Sequence, residues 1–311
     1  SSSTISASGS VNGFRVSGST ANMSTSIRNN IIGDLRTTAA GTADPIRAIN
    51  LISTGATSNI YVYYNTIYLN AVSSGINFGT TGIYHIDNAS GTANLEMINN
   101  IIFNVSTQNG TGLTVAYRRS NTTLSNYVST SNNNLFYAGI PGTKNLIYYD
   151  GINSDQTLAA FKLRMATRDA ASVTENLITS GVFLSTVGSS ANYLHLDNTK
   201  TSQVKSGGIS IAGITLDFDN DIRYGNPGYS GTGTGTDIGA DEYAGISYLP
   251  LSGIYNVGTG QTFTSLTNAG GLFSKVNRTG LSGNVTVNVT SDLSETGLEA
   301  LTAWDETGAG N

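Results

Sequence analysis

In short stretches of the first half of the chain, successive side chains belong alternately to two opposite faces. Ile60–Tyr64 and Asn94–Ile98 are examples in which every second side chain can point to one side. This is the period of a β-strand with one buried face. The segments between the stretches are short and polar, which disfavours the crossover helices of βαβ units. The pattern predicts an all-β fold of many short strands.

An asparagine motif followed by apolar residues recurs four times. It occupies Asn29–Ile32, Asn65–Tyr68, Asn99–Ile102 and Asn133–Phe136, and its first Asn residues are 36, 34 and 34 positions apart. A repeat of this length with several strands is typical of one coil of a β-solenoid. Such a coil buries its apolar face only by stacking on its neighbours.

The asparagines have a structural explanation. Asn tolerates the left-handed backbone conformation that is needed where one strand bends into the next sheet. In stacked coils, their side-chain amides can hydrogen-bond to each other along the stack. We therefore interpret them as structural. The alternative is a glycan-binding face, with a sugar platform formed by Tyr63, Tyr64, Tyr68 and Tyr84.

The period changes after residue 150. Leu158, Phe161 and Met165 follow at spacings of three and four, which predicts a short amphipathic helix with Asp155 as its N-cap. Two short strands are predicted after it, at Gly181–Leu184 and Tyr193–Leu196.

Several motifs of the second half follow one another in an order that resembles a known family. They are Thr157–Phe161, Arg168–Val173, Tyr193–Leu196, Ile211–Arg223 and Asp237–Tyr243. The order resembles the closing part of Bacteroidetes secreted cell-surface proteins with a right-handed parallel β-helix of the pectin-lyase-like type. The resemblance covers roughly residues 25–243, and Asp237–Tyr243 is its most specific part.

This resemblance implies a right-handed parallel β-helix, export by the type IX secretion machinery and an extracellular location on a bacterial surface. The chain departs from the family at three places. It has Phe161 where the family usually has Trp, Ala166-Thr167 where a Gly is usual near the helix, and Asn220 in place of another Gly.

The sequence predicts four segments. Residues 1–180 form the β-helix coils, 181–243 the closing segment, 244–252 a linker, and 253–311 the N-terminal cap and first strand of a following module. In the last segment, the order of a lead strand, a capping helix and the strand Gly283–Val289 resembles the opening of a β-helix in the same family. We expect the chain to be part of a longer tandem protein.

Composition and charge narrow the range of partners. The net charge is −5, only 11% of residues are charged, and the few Lys and Arg are scattered along the sequence, so no basic stripe for nucleic acid is predicted. No apolar run approaches the ~20 residues that a membrane-spanning helix needs. The absence of cysteine excludes disulfides and thiolate metal sites.

Catalytic chemistry has little basis in the sequence. Polysaccharide-cleaving enzymes of this fold type need clustered carboxylates, but Asp34, Asp44, Asp87 and Glu96 do not recur at the coil period. The two histidines, His85 and His195, lie in strand-like stretches and are interpreted as packed or solvent-facing. No catalytic residue is predicted.

One cation site is a candidate. Asp217, Asp219 and Asp221 alternate along a short segment, and their oxygens suit a hard cation such as Ca²⁺. The alternative is that these carboxylates accept backbone N–H bonds and pair with Arg223. No other cofactor is expected.

These observations favour a non-catalytic structural or adhesive rod of tandem β-helix modules at the cell surface. Surface glycans and other copies of the chain are its expected partners. A polysaccharide lyase or glycoside hydrolase and a carbohydrate-binding β-helix are the alternatives.

Overall fold

A computed structural model describes residues 10–87, 92–247, 251–268, 271–298 and 300–301. Parallel sheets dominate these residues and form a β-solenoid, which confirms the predicted parallel β-helix class. The chain divides into two compact units, residues 1–246 and 247–311. The boundary between them lies inside the predicted linker.

The first unit contains fourteen of the described strands, a fifteenth at its boundary with the second unit, and one helix, α1 (Leu158–Met165). Its strands are β1 (Val11–Gly18), β2 (Ser24–Arg28), β3 (Ile31–Gly33), β4 (Ile46–Ser53), β5 (Asn59–Tyr63), β6 (Thr66–Leu69), β7 (Thr80–His85), β8 (Asn94–Ile98), β9 (Ile101–Asn104), β10 (Thr114–Arg119), β11 (Leu135–Tyr137), β12 (Asn145–Tyr149), β13 (Ser154–Asp155), β14 (Thr201–Ser202) and β15 (Ile246–Ser247).

Successive coils add one strand to each of three sheets. The first sheet has the order β1-β4-β7-β10-β12 with parallel pairing, and the short antiparallel β13 ends it. The second sheet is β2-β5-β8 and the third is β3-β6-β9-β11. The pairing places equivalent residues of neighbouring coils side by side, so each strand's inward side chains stack on those of the next coil.

The core is a column of apolar side chains between these sheets. Ile49, Ile83, Tyr117 and Tyr148 are fully buried and occupy matching positions on neighbouring strands of the first sheet. At the end of this column, α1 contributes the buried Phe161, whose ring packs against Tyr117 and Tyr148. The helix therefore closes the core beside the last coil.

A second column, made of polar side chains, runs through the bend between the second and third sheets. Each Asn amide donates to the side-chain oxygen of the next coil, at 2.8 Å from Asn30 to Asn65, 2.9 Å from Asn65 to Asn100 and 2.9 Å from Asn100 to Asn134. Asn134 then donates to Asp169 at 3.1 Å. We call these five residues the amide column.

Every member of the amide column between its ends is saturated with hydrogen bonds. Asn100, which is fully buried, accepts from the backbone N–H of Asn65 and donates to the carbonyl of Val62 as well as to Asn134. Because buried amides without partners are costly, this saturation is what permits polar residues inside the stack.

The predicted asparagine ladder is present, but its alignment was wrong by one residue in the second coil. The column members are 35, 35, 34 and 35 positions apart. Asn65 therefore matches Asn30 and Asn100, the second Asn of each pair, and not Asn29 and Asn99. The fifth member, Asp169, was missed because it is not an Asn.

The predicted helix is present, but its cap is not Asp155. Thr157 is the N-cap and its Oγ1 accepts from the backbone N–H of Ala160 at 3.2 Å. Asp155 lies two residues earlier in β13 and binds Arg164 through both carboxylate oxygens, at 2.6 and 2.7 Å. The two predicted strands at 181–184 and 193–196 reduce to isolated bridges, Phe183 with Leu196 and Ser185 with Tyr193.

The second unit contains two parallel strands, β16 (Leu251–Val257) and β17 (Leu281–Val289), joined by α2 (Leu272–Thr279). Leu251, Val257, Leu272 and Val276 form its small core. This is the predicted order of strand, helix and strand. Neither helix in the described part of the chain is long and apolar enough to cross a membrane.

The amide column predicts a large loss of stability when a middle member is removed. Asn100→Ala leaves the buried backbone N–H of Asn65 without its acceptor and removes the side-chain donor to the carbonyl of Val62, so we expect the free energy of unfolding to fall by about 3 kcal/mol. Urea unfolding followed by circular dichroism measures it. Asn198→Ala, at an exposed position, is the matched control. If both changes lower the free energy of unfolding equally, the amide column does not stabilise the fold.

Candidate functional site

The closing segment lies along the bends of the coils. Four residues at equivalent bends have positive φ angles of 53–60°: Asn29, Tyr64, Asn99 and Asn133. Their side chains donate to backbone carbonyls of the closing segment, from Asn133 to Gly207 at 2.9 Å, from Asn99 and Tyr64 to Ile209 at 2.7 Å, and from Asn29 to Leu216 at 2.7 Å. The segment thus bridges four coils lengthwise.

The carboxylates of the Asp237–Tyr243 motif fix the path of this segment. Asp237 accepts from Lys205 Nζ at 3.0 Å and from two backbone N–H groups. Glu242 accepts from Arg223 and from the backbone N–H groups of Asp237 and Tyr224. Both carboxylates are buried, so the motif that carries the family resemblance serves to satisfy buried backbone donors.

A cavity of about 830 Å³ opens in the closing segment. Its lining includes His195, Asp219, Asp221, Tyr229, Asp241 and Glu242. At this cavity the carboxylate oxygens of Asp217, Asp219 and Asp241 lie within 4.8 Å of one another. We call these three residues the acidic group. Asp217 and Asp241 are buried and Asp219 is exposed.

The acidic group differs from the predicted trio in one residue. Asp221 lines the cavity, but its carboxylate does not join the convergent oxygens. Asp241 takes its place, although it lies far along the sequence. It is brought there because Asp217 accepts from the backbone N–H of Glu242 at 2.7 Å. Sequence proximity alone could not identify it.

Asp217 acts chiefly as an acceptor for the local backbone. Its Oδ1 accepts from the N–H groups of Asp219 and Asp221, both at 2.8 Å. Between them Asn220 has a φ of 71°, a conformation that Asn and Gly tolerate best. This explains physically how Asn can stand where a Gly is usual. The predicted alternative, in which carboxylates accept backbone N–H bonds, describes Asp217.

The predicted pairing of these carboxylates with Arg223 is wrong. Arg223 is fully buried and its ion pair is with Glu242, at 3.3 Å. Its guanidinium also lies 3.8 Å above the ring of Tyr64 and donates to Asn29 at 3.1 Å. Arg223 therefore joins the closing segment to the coils, and it acts on the acidic group only through the charge that it exerts on Asp217.

The cationic partner of the acidic group is His195. Its Nε2 lies 2.9 Å from Asp219 Oδ2. Burial lowers the pKa of His195, but the hydrogen bond and the charge of Asp219 outweigh it and the pKa is raised. Burial also raises the pKa of Asp241 to about 6, against the hydrogen bond from the N–H of Leu196.

The second histidine has no role at this cavity. His85 is buried in the coils, with Nδ1 2.8 Å from a guanidinium nitrogen of Arg119. Burial and the charge of Arg119 lower the pKa of His85 to about 3, so it is neutral at physiological pH. This agrees with its interpretation as a packed residue.

The acidic group combines carboxylate oxygens, a protonatable His and an open cavity. These features suit the binding of a cation. A cation held there would be bound by Asp219 and Asp241, because their carboxylate oxygens accept the fewest hydrogen bonds from backbone N–H groups. Asp217 would be the third ligand, although its oxygens already accept three such hydrogen bonds.

Comparison with known proteins gave no assignment: no family model, no curated protein and no solved structure matches this chain. The resemblance to Bacteroidetes surface proteins therefore stays a prediction.

The raised pKa values of His195 and Asp241 predict that the stability of the fold falls as the pH rises from 5 to 8. A raised pKa of His195 stabilises the fold below its unfolded value of ~6.5 and loses that effect as pH passes the folded pKa. Asp241 acts in the same direction, since its neutral form is favoured up to about pH 6. Melting temperatures across this range measure the effect.

His195→Gln isolates one part of this dependence. We expect the variant to have a smaller drop in melting temperature above pH 6.5 than the wild type. The comparison between variant and wild type is needed because burial also raises the pKa of Asp169 to about 6. An identical pH profile for both proteins would contradict the role of His195.

The calcium hypothesis is tested at pH 8, where Asp241 is ionised. Calcium bound by the acidic group raises the melting temperature at millimolar concentration, Asp241→Asn abolishes the rise, and Asp221→Asn preserves it. The reverse response of the two variants would favour the trio predicted from sequence. No shift with calcium or with a chelator rejects both.

Proposed function

We propose that this chain is a non-catalytic structural and adhesive rod of the bacterial cell surface, built from β-helix modules. The observation that carries the proposal is the lengthwise tying of the coils. The amide column links the coils inside the stack. The closing segment bonds to four coil bends on the outside.

The amide column and the closing segment both connect the coils lengthwise, so together they make the stack resist separation of its coils. In a solenoid each coil contacts only its neighbours, so one weak interface limits the strength of the whole. The closing segment adds bonds that skip from the fourth coil to the first, and Arg223 locks it through Tyr64 and Asn29. A rod that must hold a binding surface away from the cell needs such resistance.

Export by the type IX secretion machinery and an extracellular location belong to the same proposal, on the strength of the sequence resemblance.

A carbohydrate-processing role is the second candidate, favoured by the cavity that His195 and Asp241 line. Incubation with acidic and neutral polysaccharides, followed by an assay for new reducing ends and unsaturated products, separates the two. Released product would overturn the non-catalytic proposal.

Single-molecule pulling tests the rod. The chain has no cysteine, so Ser26→Cys and Thr143→Cys, both exposed, provide unique handles on the first and last coils. We expect the coils to open in one cooperative event. With Asn99→Ala and Asn133→Ala the closing segment detaches first and the unfolding force falls. Asn94→Ala, which removes one side-chain hydrogen bond to Asn59 of the neighbouring coil and none to the closing segment, is the control.

Coils that peel apart one by one at low force in the wild type would contradict a load-bearing rod. An unchanged force in the Asn99→Ala, Asn133→Ala variant would show that the closing segment carries none of the load.

A further inference from the structure

The outer face of the first sheet carries basic residues in a protein with few of them. Arg15, Asn50, Tyr84, Arg118 and Tyr149 occupy matching positions on five adjacent strands. Because neighbouring strands lie ~4.8 Å apart, this row spans roughly 19 Å. Arg47 lies on β4 beside it. We call the surface formed by Arg15, Arg47, Arg118, Tyr84 and Tyr149 the arginine face.

Two tyrosines hold two guanidinium groups in place. The guanidinium of Arg47 lies 3.8 Å from the ring centre of Tyr84, and that of Arg118 lies 4.9 Å from the ring centre of Tyr149. One face of each ring is therefore covered, which counts against sugar stacking on that face. The stacked guanidinium groups are ordered before a ligand arrives, and this lowers the entropic cost of binding.

The predicted platform of four tyrosines does not form. Tyr64 is fully buried and Tyr68 is 5% exposed. Tyr84 is half-buried under Arg47. Recognition by this face thus depends on charge and not on aromatic surface.

One carboxylate serves both guanidinium groups. Asp44 Oδ2 lies 2.8 Å from Arg47 Nε and 3.2 Å from Arg118 Nη1. Among the described residues, Nη1 of Arg118 is buried and has no hydrogen-bond partner of good geometry, while the side chains of Arg47 and Arg118 are 24% and 17% exposed. Two cations and one anion leave a positive charge, and the exposed Arg15 adds another. In a chain of net charge −5, this is a local reversal of sign.

A planar guanidinium matches a carboxylate or sulfate group with two parallel hydrogen bonds. The guanidinium groups of Arg47 and Arg118 lie close together, because both reach Asp44 Oδ2, and Arg15 lies further along the face. This arrangement suits a polymer that carries acidic groups along its length. Duplex nucleic acid is less suited, because its affinity needs several neutralised phosphates. Single strands bind through exposed aromatic faces, and a guanidinium covers one face of each of Tyr84 and Tyr149.

We propose that the arginine face binds an acidic polysaccharide, with Arg47 and Arg118 contacting its carboxylate or sulfate groups. The inference rests on the proposed function, since it names the surface through which the rod adheres. It concerns another face than the cavity of the acidic group.

The test measures binding of the full chain to polygalacturonate, dextran sulfate, neutral dextran and single-stranded DNA. We expect binding to the first, the second or both, weakening steeply with salt, and none to dextran. The two acidic polymers distinguish carboxylate from sulfate recognition. Arg47→Gln with Arg118→Gln should lower the affinity by roughly tenfold or more. Arg28→Gln, exposed on the second sheet, should leave it unchanged.

Asp44→Asn guards against loss of folding in the arginine variants. It removes the competing carboxylate and keeps both arginines, so the affinity for the acidic polymer should increase. Equal binding of dextran, tighter binding of DNA than of either acidic polymer, or no response to the arginine and Asp44 variants would each overturn the proposal. These outcomes leave the pulling experiment untouched, so adhesion and mechanical strength fail separately.

Discussion

The amide column is the constraint on which the other features of the first unit depend. A buried amide is tolerated only when its donors and acceptors all have partners. Here those partners are the side-chain amide and the backbone of the next coil. Each coil must therefore stack on its neighbour in one fixed register. That fixed register stacks Ile49 on Ile83 inside the first sheet and aligns Tyr84 with Arg118 outside it.

The asparagine pairs divide their work between the inside and the outside of the bend. The second Asn of each pair points inward and joins the column, as Asn100 does. The first has a left-handed backbone and faces outward, as Asn99 does, to hold the closing segment. In the second coil, Tyr64 takes the outer position, and its ring supports the buried Arg223. One two-residue motif thus organises both lengthwise ties.

Sequence reasoning found the coil length because apolar strands and Asn pairs recur locally. It misplaced the ladder register because Asn65 stands alone, and a lone Asn does not reveal whether it is the first or second of a pair. It missed Asp169 because the repeat was defined by Asn alone. At the end of the column, the carboxylate of Asp169 accepts the hydrogen bond that an Asn side-chain oxygen accepts in the other coils. Asp241 was beyond its reach because a contact across the closing segment leaves no periodic trace. Asp155 had the right chemistry for a cap but was already paired with Arg164.

The arginines show how position decides the role of one residue type. Arg118 and Arg119 are neighbours in β10, yet strand alternation turns one outward and the other into the interior. Arg119 donates to His85, Tyr117 and Asn126 inside the coil, whereas Arg118 shares a single carboxylate with Arg47 on the outer face. The outward pair has more donors than acceptors, and this imbalance is the reason why we propose the outer face of the first sheet as the adhesive surface.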